Sequence, residues 1–129
     1  MKILVVDDEA DVRLLFEQRF RREIREGLFE FAFVFSGEEA LHYLTQEAHY
    51  SEVVLILSDI NMPGMSGLEL LRNIKLSHPN PPPTVMMITA YGDDVSYAKA
   101  MQLGATDFLV KPIDFVLLKE KLLPLNQSE

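Results

Sequence analysis

Short apolar runs alternate with amphipathic helical stretches along the whole chain, and few folds accept that alternation. Val53-Val54-Leu55-Ile56-Leu57 is the strongest of the runs. Apolar on both faces, it suits a strand covered by helices on both sides, as in a parallel sheet. Ile3-Leu4-Val5-Val6 has the same character and is bounded by acids. Glu30 to Phe35, Thr84 to Thr89 and Asp107 to Val110 bring the expected strands to five. Between them, Ala10 to Glu26 carries Val12, Leu15, Phe16, Phe20 and Ile24 on one helical face and ends at Gly27. Ser36 caps a helix running to about Glu47, and Glu39 completes a capping box. Leu68, Leu71 and Ile74 continue at helical spacing up to the breaker His78-Pro79-Asn80-Pro81-Pro82-Pro83, a stiff connector. Asp93 to Leu103 and Asp114 to Leu123 supply the last two helices.

Strict strand–helix alternation implies an α/β three-layer sandwich with right-handed crossovers. Five strands favour the flavodoxin-like order 2-1-3-4-5, a five-stranded parallel sheet with five helices. Residues 1–125 are expected to form one domain, with 126–129 as a C-terminal tail. In such sheets the reactive groups stand at the carboxyl ends of the strands.

Composition removes several function classes. The net charge is −8, and the basic residues are scattered among acids, which argues against direct nucleic-acid binding. With no cysteine there is no disulfide and no thiolate metal site. No apolar run approaches the length of a membrane span, and Met1-Lys2 leads into a strand rather than a signal peptide. The expectation is a cytoplasmic protein that does not enter a membrane.

The polar residues at the strand ends carry the chemistry. Strand one ends in Asp7-Asp8-Glu9, strand three in Ser58-Asp59, strand four in Thr89-Ala90, and strand five in Val110-Lys111-Pro112. The order 2-1-3-4-5 sets these four strands side by side, so three carboxylates, a hydroxyl and an ammonium converge. Crowding Asp7, Asp8 and Asp59 is unfavourable unless a cation joins them. All-oxygen ligands suit Mg²⁺ or Mn²⁺ rather than zinc. Asn61 adds a backbone carbonyl as a further metal ligand. Phosphoryl transfer asks mainly for positioning and charge neutralisation. Asp59 is then the nucleophile and phosphoacceptor, Lys111 pairs with one phosphate oxygen, and Thr89 donates to another.

Four blocks, in order, resemble the receiver domain of two-component response regulators over nearly the whole chain. They are Val5-Val6-Asp7-Asp8-Glu9, the run Ser58 to Gly67, Ile88-Thr89-Ala90-Tyr91, and the run Gly104 to Pro112. The resemblance implies a histidine kinase or histidine phosphotransfer protein as donor and a downstream effector protein or domain as reader. It implies direct metal binding by Asp8, Asp59 and the Asn61 carbonyl, with Asp7 acting mainly through water. It also implies a switch in which Thr89 moves toward the phosphoryl group and Phe108 fills the space vacated. Phe108 lacks a tyrosine's hydroxyl, so packing would report that change. The output surface would be the fourth helix, fifth strand and last helix; a homodimer through the last two helices is left open.

Taken singly, these residues have plain readings. Asp7-Asp8-Glu9 alone is a solvated loop or a helix start, Thr89 a strand residue, Lys111 a surface lysine. His42, His49 and His78 are dispersed surface residues. A nucleotide or flavin module would need a glycine-rich phosphate loop where the acids stand. A metal-dependent phosphatase with an aspartyl intermediate would need a second acid just after Asp59, where Ile60 and Asn61 follow. A receiver cut from a longer multidomain signalling protein fits equally well, and a degenerate receiver is disfavoured by the intact set.

Overall fold

The computed structural model describes residues 1–46, 52–77, 83–90 and 94–127, with Asn126 and Gln127 by backbone only. The strands are β1 (Lys2–Val6), β2 (Glu30–Val34), β3 (Val53–Asp59), β4 (Thr84–Thr89) and β5 (Asp107–Val110). They form one parallel sheet in the order β2-β1-β3-β4-β5, the order that five alternating strands favour. The helices that lie wholly among the described residues are α1 (Asp11–Arg19), α2 (Arg21–Arg25), α3 (Gly37–Thr45), α4 (Gly67–Ser77), α5 (Asp94–Gln102) and α6 (Phe115–Gln127). Glu47, His49, the connector over 78–82, Tyr91 and Asp93 lie outside the described residues.

Side chains alternate across the sheet and build two cores. Leu4, Val6, Ile56, Val85 and Met87 face α3, α4 and α5, against Ala40, Leu44, Leu70, Leu71, Ile74 and Ala100. Ile3, Val5, Leu55, Leu57, Met86 and Ile88 face the other way, against Val12 and Phe16 of α1 and Leu118 and Leu122 of α6. Val54 is the exception in the apolar run and is exposed. The β1–β3 register jumps from Lys2↔Val53 to Ile3↔Leu55, so a bulge leaves Val54 without a partner. On β2, Phe31 and Phe33 turn to the second core, and Phe16 meets both rings edge-on at 5.4 and 6.1 Å.

The expected single first helix is broken. Phe20 leaves helical geometry at φ −110°, ψ 22°, and a short second helix restarts at Arg21. The buried stripe runs on across the break as Val12, Phe16, Phe20 and Glu23, a helical spacing of 4, 4 and 3, while Leu15 and Ile24 flank it and are exposed. Lys119 of α6 pairs with Glu23. Hydrogen bonding to Lys119 holds the Glu23 carboxyl below its usual range, against the burial that would raise it. The Lys119 side chain is itself partly exposed, which screens the pair, so removing one member should cost about 1–3 kcal/mol, and the contact fastens α2 to α6.

Ser36 caps α3 as its spacing indicates: its side chain accepts the Glu39 N–H at 3.0 Å. Glu39 reaches back to the Phe35 N–H at 2.8 Å, closing the capping box one residue early. The last helix continues past Leu123 to Gln127 with Pro124 inside it. Among the described residues no helix is long and apolar enough to cross a membrane.

Candidate functional site

The carboxyl ends of β1, β3, β4 and β5 stand side by side, because Val6 pairs with Ser58, Asp59 with Ile88 and Thr89 with Val110. Asp7 and Asp59 are buried at the ends of their strands, and Asp8 is exposed beside them. One oxygen from each of the three carboxylates lies within 4.8 Å of the other two. The Glu9 N–H donates to Asp7 Oδ1 at 2.9 Å and fixes that carboxylate.

Lys111 follows β5 directly, and its backbone N–H donates to the Thr89 carbonyl at 2.7 Å. Its Nζ sits between the two buried acids, 2.9 Å from Asp7 Oδ2 and 3.2 Å from Asp59 Oδ2. The Lys111–Pro112 peptide is cis. Burial alone would lower the Lys111 ammonium, but its hydrogen bonds to Asp7 and Asp59 outweigh that and hold it above the ordinary lysine value. Asp59 moves upward: burial raises it most, Asp7 adds to the rise, and Lys111 and the Asn61 N–H only partly oppose it. The site therefore holds excess negative charge close together.

That excess fits a hard divalent cation. An octahedral Mg²⁺ with bonds of about 2.1 Å sets its ligand oxygens about 3–4 Å apart. Three carboxylate oxygens inside 4.8 Å need little movement to meet that requirement. Asp7, Asp8 and Asp59 are thus positioned to coordinate a divalent cation such as Mg²⁺.

The turn after β3 is shaped to come back beneath Asp59. The Gly67 N–H donates to the Ile60 carbonyl at 2.8 Å. A Cβ on Gly67 would stand 2.1 Å from the Asp59 carbonyl oxygen, so no larger residue fits there. Asn61 leaves this turn exposed, its N–H donating to Asp59 Oδ1 at 3.3 Å.

Two contacts were not legible beforehand. Asn61 Nδ2 donates to Thr89 Oγ1 at 3.0 Å, joining the buried threonine to the loop that follows Asp59. From the sequence, Asn61 offers the site a backbone carbonyl; its side-chain contact depends on β3 and β4 being neighbours. Lys111 Nζ also reaches Glu9 Oε1 at 3.5 Å, so the third acid after β1 shares the ammonium. Phe108 lies apart from the acids, half-buried against the α3–α4–α5 core, with Tyr97 of α5 edge-on at 5.5 Å.

The model of the response regulator receiver domain matches residues 3–123. The chain belongs to that family. It is 39% identical over 113 residues to the response regulator protein FleR of Pseudomonas aeruginosa, a match covering 88% of this chain and 22% of that protein. This receiver chain therefore spans about a quarter or less of the length of the first curated relatives it matches. A full-length match is the sporulation initiation phosphotransferase F of Bacillus subtilis, 33% identical over 130 residues, covering 98% of this chain and 97% of that one. Among solved structures, the CheX–CheY–BeF3–Mg²⁺ complex of Borrelia burgdorferi superposes with a TM-score of 0.80 at 28% identity, covering 97% of this chain and 88% of that chain.

Residues 3–123 form a phosphorylation-dependent signalling receiver domain of the two-component kind. A receiver domain catalyses its own phosphorylation and dephosphorylation. Receivers work with a phosphohistidine donor and an effector that reads the phosphorylated form.

Proposed function

We propose that Asp59 is the phosphoacceptor of this receiver and that Lys111, Thr89 and Asn61 serve it. The observation that carries this reading is the Lys111 ammonium lodged between the Asp7 and Asp59 carboxylates. A carboxylate oxygen of Asp59 attacks the phosphorus of the donor. As the new O–P bond forms, the P–N bond of a phosphohistidine, or the P–O bond of acetyl phosphate, breaks, and the imidazole or the acetate departs with the bonding electron pair. Lys111 pairs with one phosphoryl oxygen and Thr89 donates its hydroxyl to another. Asp7, Asp8, Asp59 and the Asn61 carbonyl would hold Mg²⁺ (or Mn²⁺), Asp7 mainly through a water, and the bound cation would supply charge neutralisation between the acids and the donor.

The switch follows from the same contacts. A phosphoryl dianion competes with Asp7 for Lys111 and with Asn61 for Thr89. Both side chains start from the positions described above. Phe108, against Tyr97, is the packing element set to respond, and the face of α5, β5 and α6 passes the change to the effector. The donor is a histidine kinase or histidine phosphotransfer protein of the cytoplasm.

Incubation with acetyl phosphate and Mg²⁺ should add the mass of one phosphoryl group per chain and then stop. Continuous turnover of a small phosphate ester would favour the phosphatase reading instead. A folded protein that takes up nothing would count against Asp59 as acceptor.

A further inference from the structure

The loop leaving Asp59 is held from outside the acid cluster. Glu38, in the first turn of α3, accepts the Met65 N–H on Oε2 at 3.3 Å. The same oxygen rests against Gly64, where an added Cβ would stand 2.9 Å from it. Gly64 has φ +74°, so the chain turns there in a conformation other residues rarely adopt. The Met65 side chain is wedged against α3 as well: a Cβ on Gly37 would come within 2.9 Å of its sulfur. Asn73 Nδ2 of α4 approaches that sulfur at 3.9 Å.

Glu38 is not needed by its own helix start. Ser36 and Glu39 already satisfy the capping positions there. Its carboxylate instead crosses to a loop 27 positions further along the chain. One end of that loop is fixed by Gly67 under Asp59, and the other carries Asn61, which touches both Asp59 and Thr89. A charge-assisted hydrogen bond midway between these points limits how far Asn61 moves from the acids.

We infer that Glu38 is a positioning residue for the phosphorylation site, fixing the 61–66 loop through the Met65 amide so that Asn61 stays in register with Asp59. This rests on the receiver reading proposed above.

The test uses the full chain with three variants: Glu38→Ala, Glu38→Gln and Glu39→Ala. Two quantities are read, Met65 amide exchange in metal-free protein and Mg²⁺ affinity by calorimetry. Glu38→Ala should speed Met65 exchange and weaken Mg²⁺ binding, each about three- to tenfold, the size expected for one lost hydrogen bond. Glu38→Gln keeps an acceptor oxygen and should stay within about twofold of wild type in both. Glu39→Ala should lower Tm through its lost cap and leave both quantities unchanged. Wild-type exchange and affinity in Glu38→Ala, or the same losses in Glu39→Ala, would overturn the inference, as would Glu38→Gln behaving like Glu38→Ala. A wild-type chain that binds no Mg²⁺ would instead bring down the metal-site reading and this inference with it.

Discussion

Asp59→Asn is expected to take up no phosphoryl group from acetyl phosphate and Mg²⁺, while folding normally. The amide is isosteric with the carboxylate but has no anionic oxygen to attack phosphorus. The same variant should be more stable than wild type in metal-free buffer. Burial, then Asp7, raise Asp59 above its ordinary value, so the ionised carboxylate costs the folded state free energy. An acid whose folded-state pKa is raised contributes its stability fully below the unfolded value of about 3.9 and loses it as pH rises through the folded value. The Tm advantage of Asp59→Asn should therefore be absent near pH 4 and grow toward neutrality. Equal melting curves across that window would show that Asp59 is not electrostatically loaded.

Lys111→Ala should have the second-largest effect, and Mg²⁺ should partly reverse it. The ammonium is the cation shared by two buried acids, and its removal leaves Asp7 and Asp59 facing each other. Breaking a buried pair costs about 3–5 kcal/mol, reduced here to about 2–4 because the lysine side chain keeps some contact with solvent. A divalent cation bound at 100 times its dissociation constant returns about 2.7 kcal/mol. Thermal melts in chelator should thus show a large drop for the variant, and saturating Mg²⁺ should raise its Tm more than it raises that of wild type. Function should not return with stability. Beryllofluoride with Mg²⁺, a phosphoryl mimic, should shift the Thr89 and Phe108 amide resonances in wild type and not in the variant. Wild-type shifts in Lys111→Ala would remove Lys111 from the switch.

The sheet is readable because its three central strands, β1, β3 and β4, are apolar runs buried on both faces, while β2 and β5 at the edges are only partly buried. Alternation gives the α/β class and the strand count favours the order 2-1-3-4-5, and with that order Asp7, Asp8, Asp59 and Lys111 meet. What escaped was local and long-range at once. Ile24 and Glu23 are both within helical reach of Phe20, and hydrophobicity favours Ile24 for the core, yet Glu23 takes the buried position, with Lys119, 96 positions away, to neutralise it. Val54 belonged to the most apolar run and still faces solvent, because register against β1 slips at that point. The Asn61–Thr89 and Glu38–Met65 contacts join side chains or amides 28 and 27 positions apart. Neither leaves a spacing signature, since an asparagine in a turn and a glutamate at a helix start each have ordinary local roles.

Phosphoryl uptake measured by intact mass against Mg²⁺ concentration, from chelator to saturation, tests the role of the acid cluster most directly. Uptake should be near zero in chelator, rise with Mg²⁺ to one phosphoryl group per chain, and place that group on Asp59. Equal uptake in chelator, or a phosphoryl group carried by another residue, would contradict a site in which a divalent cation makes one crowded carboxylate reactive.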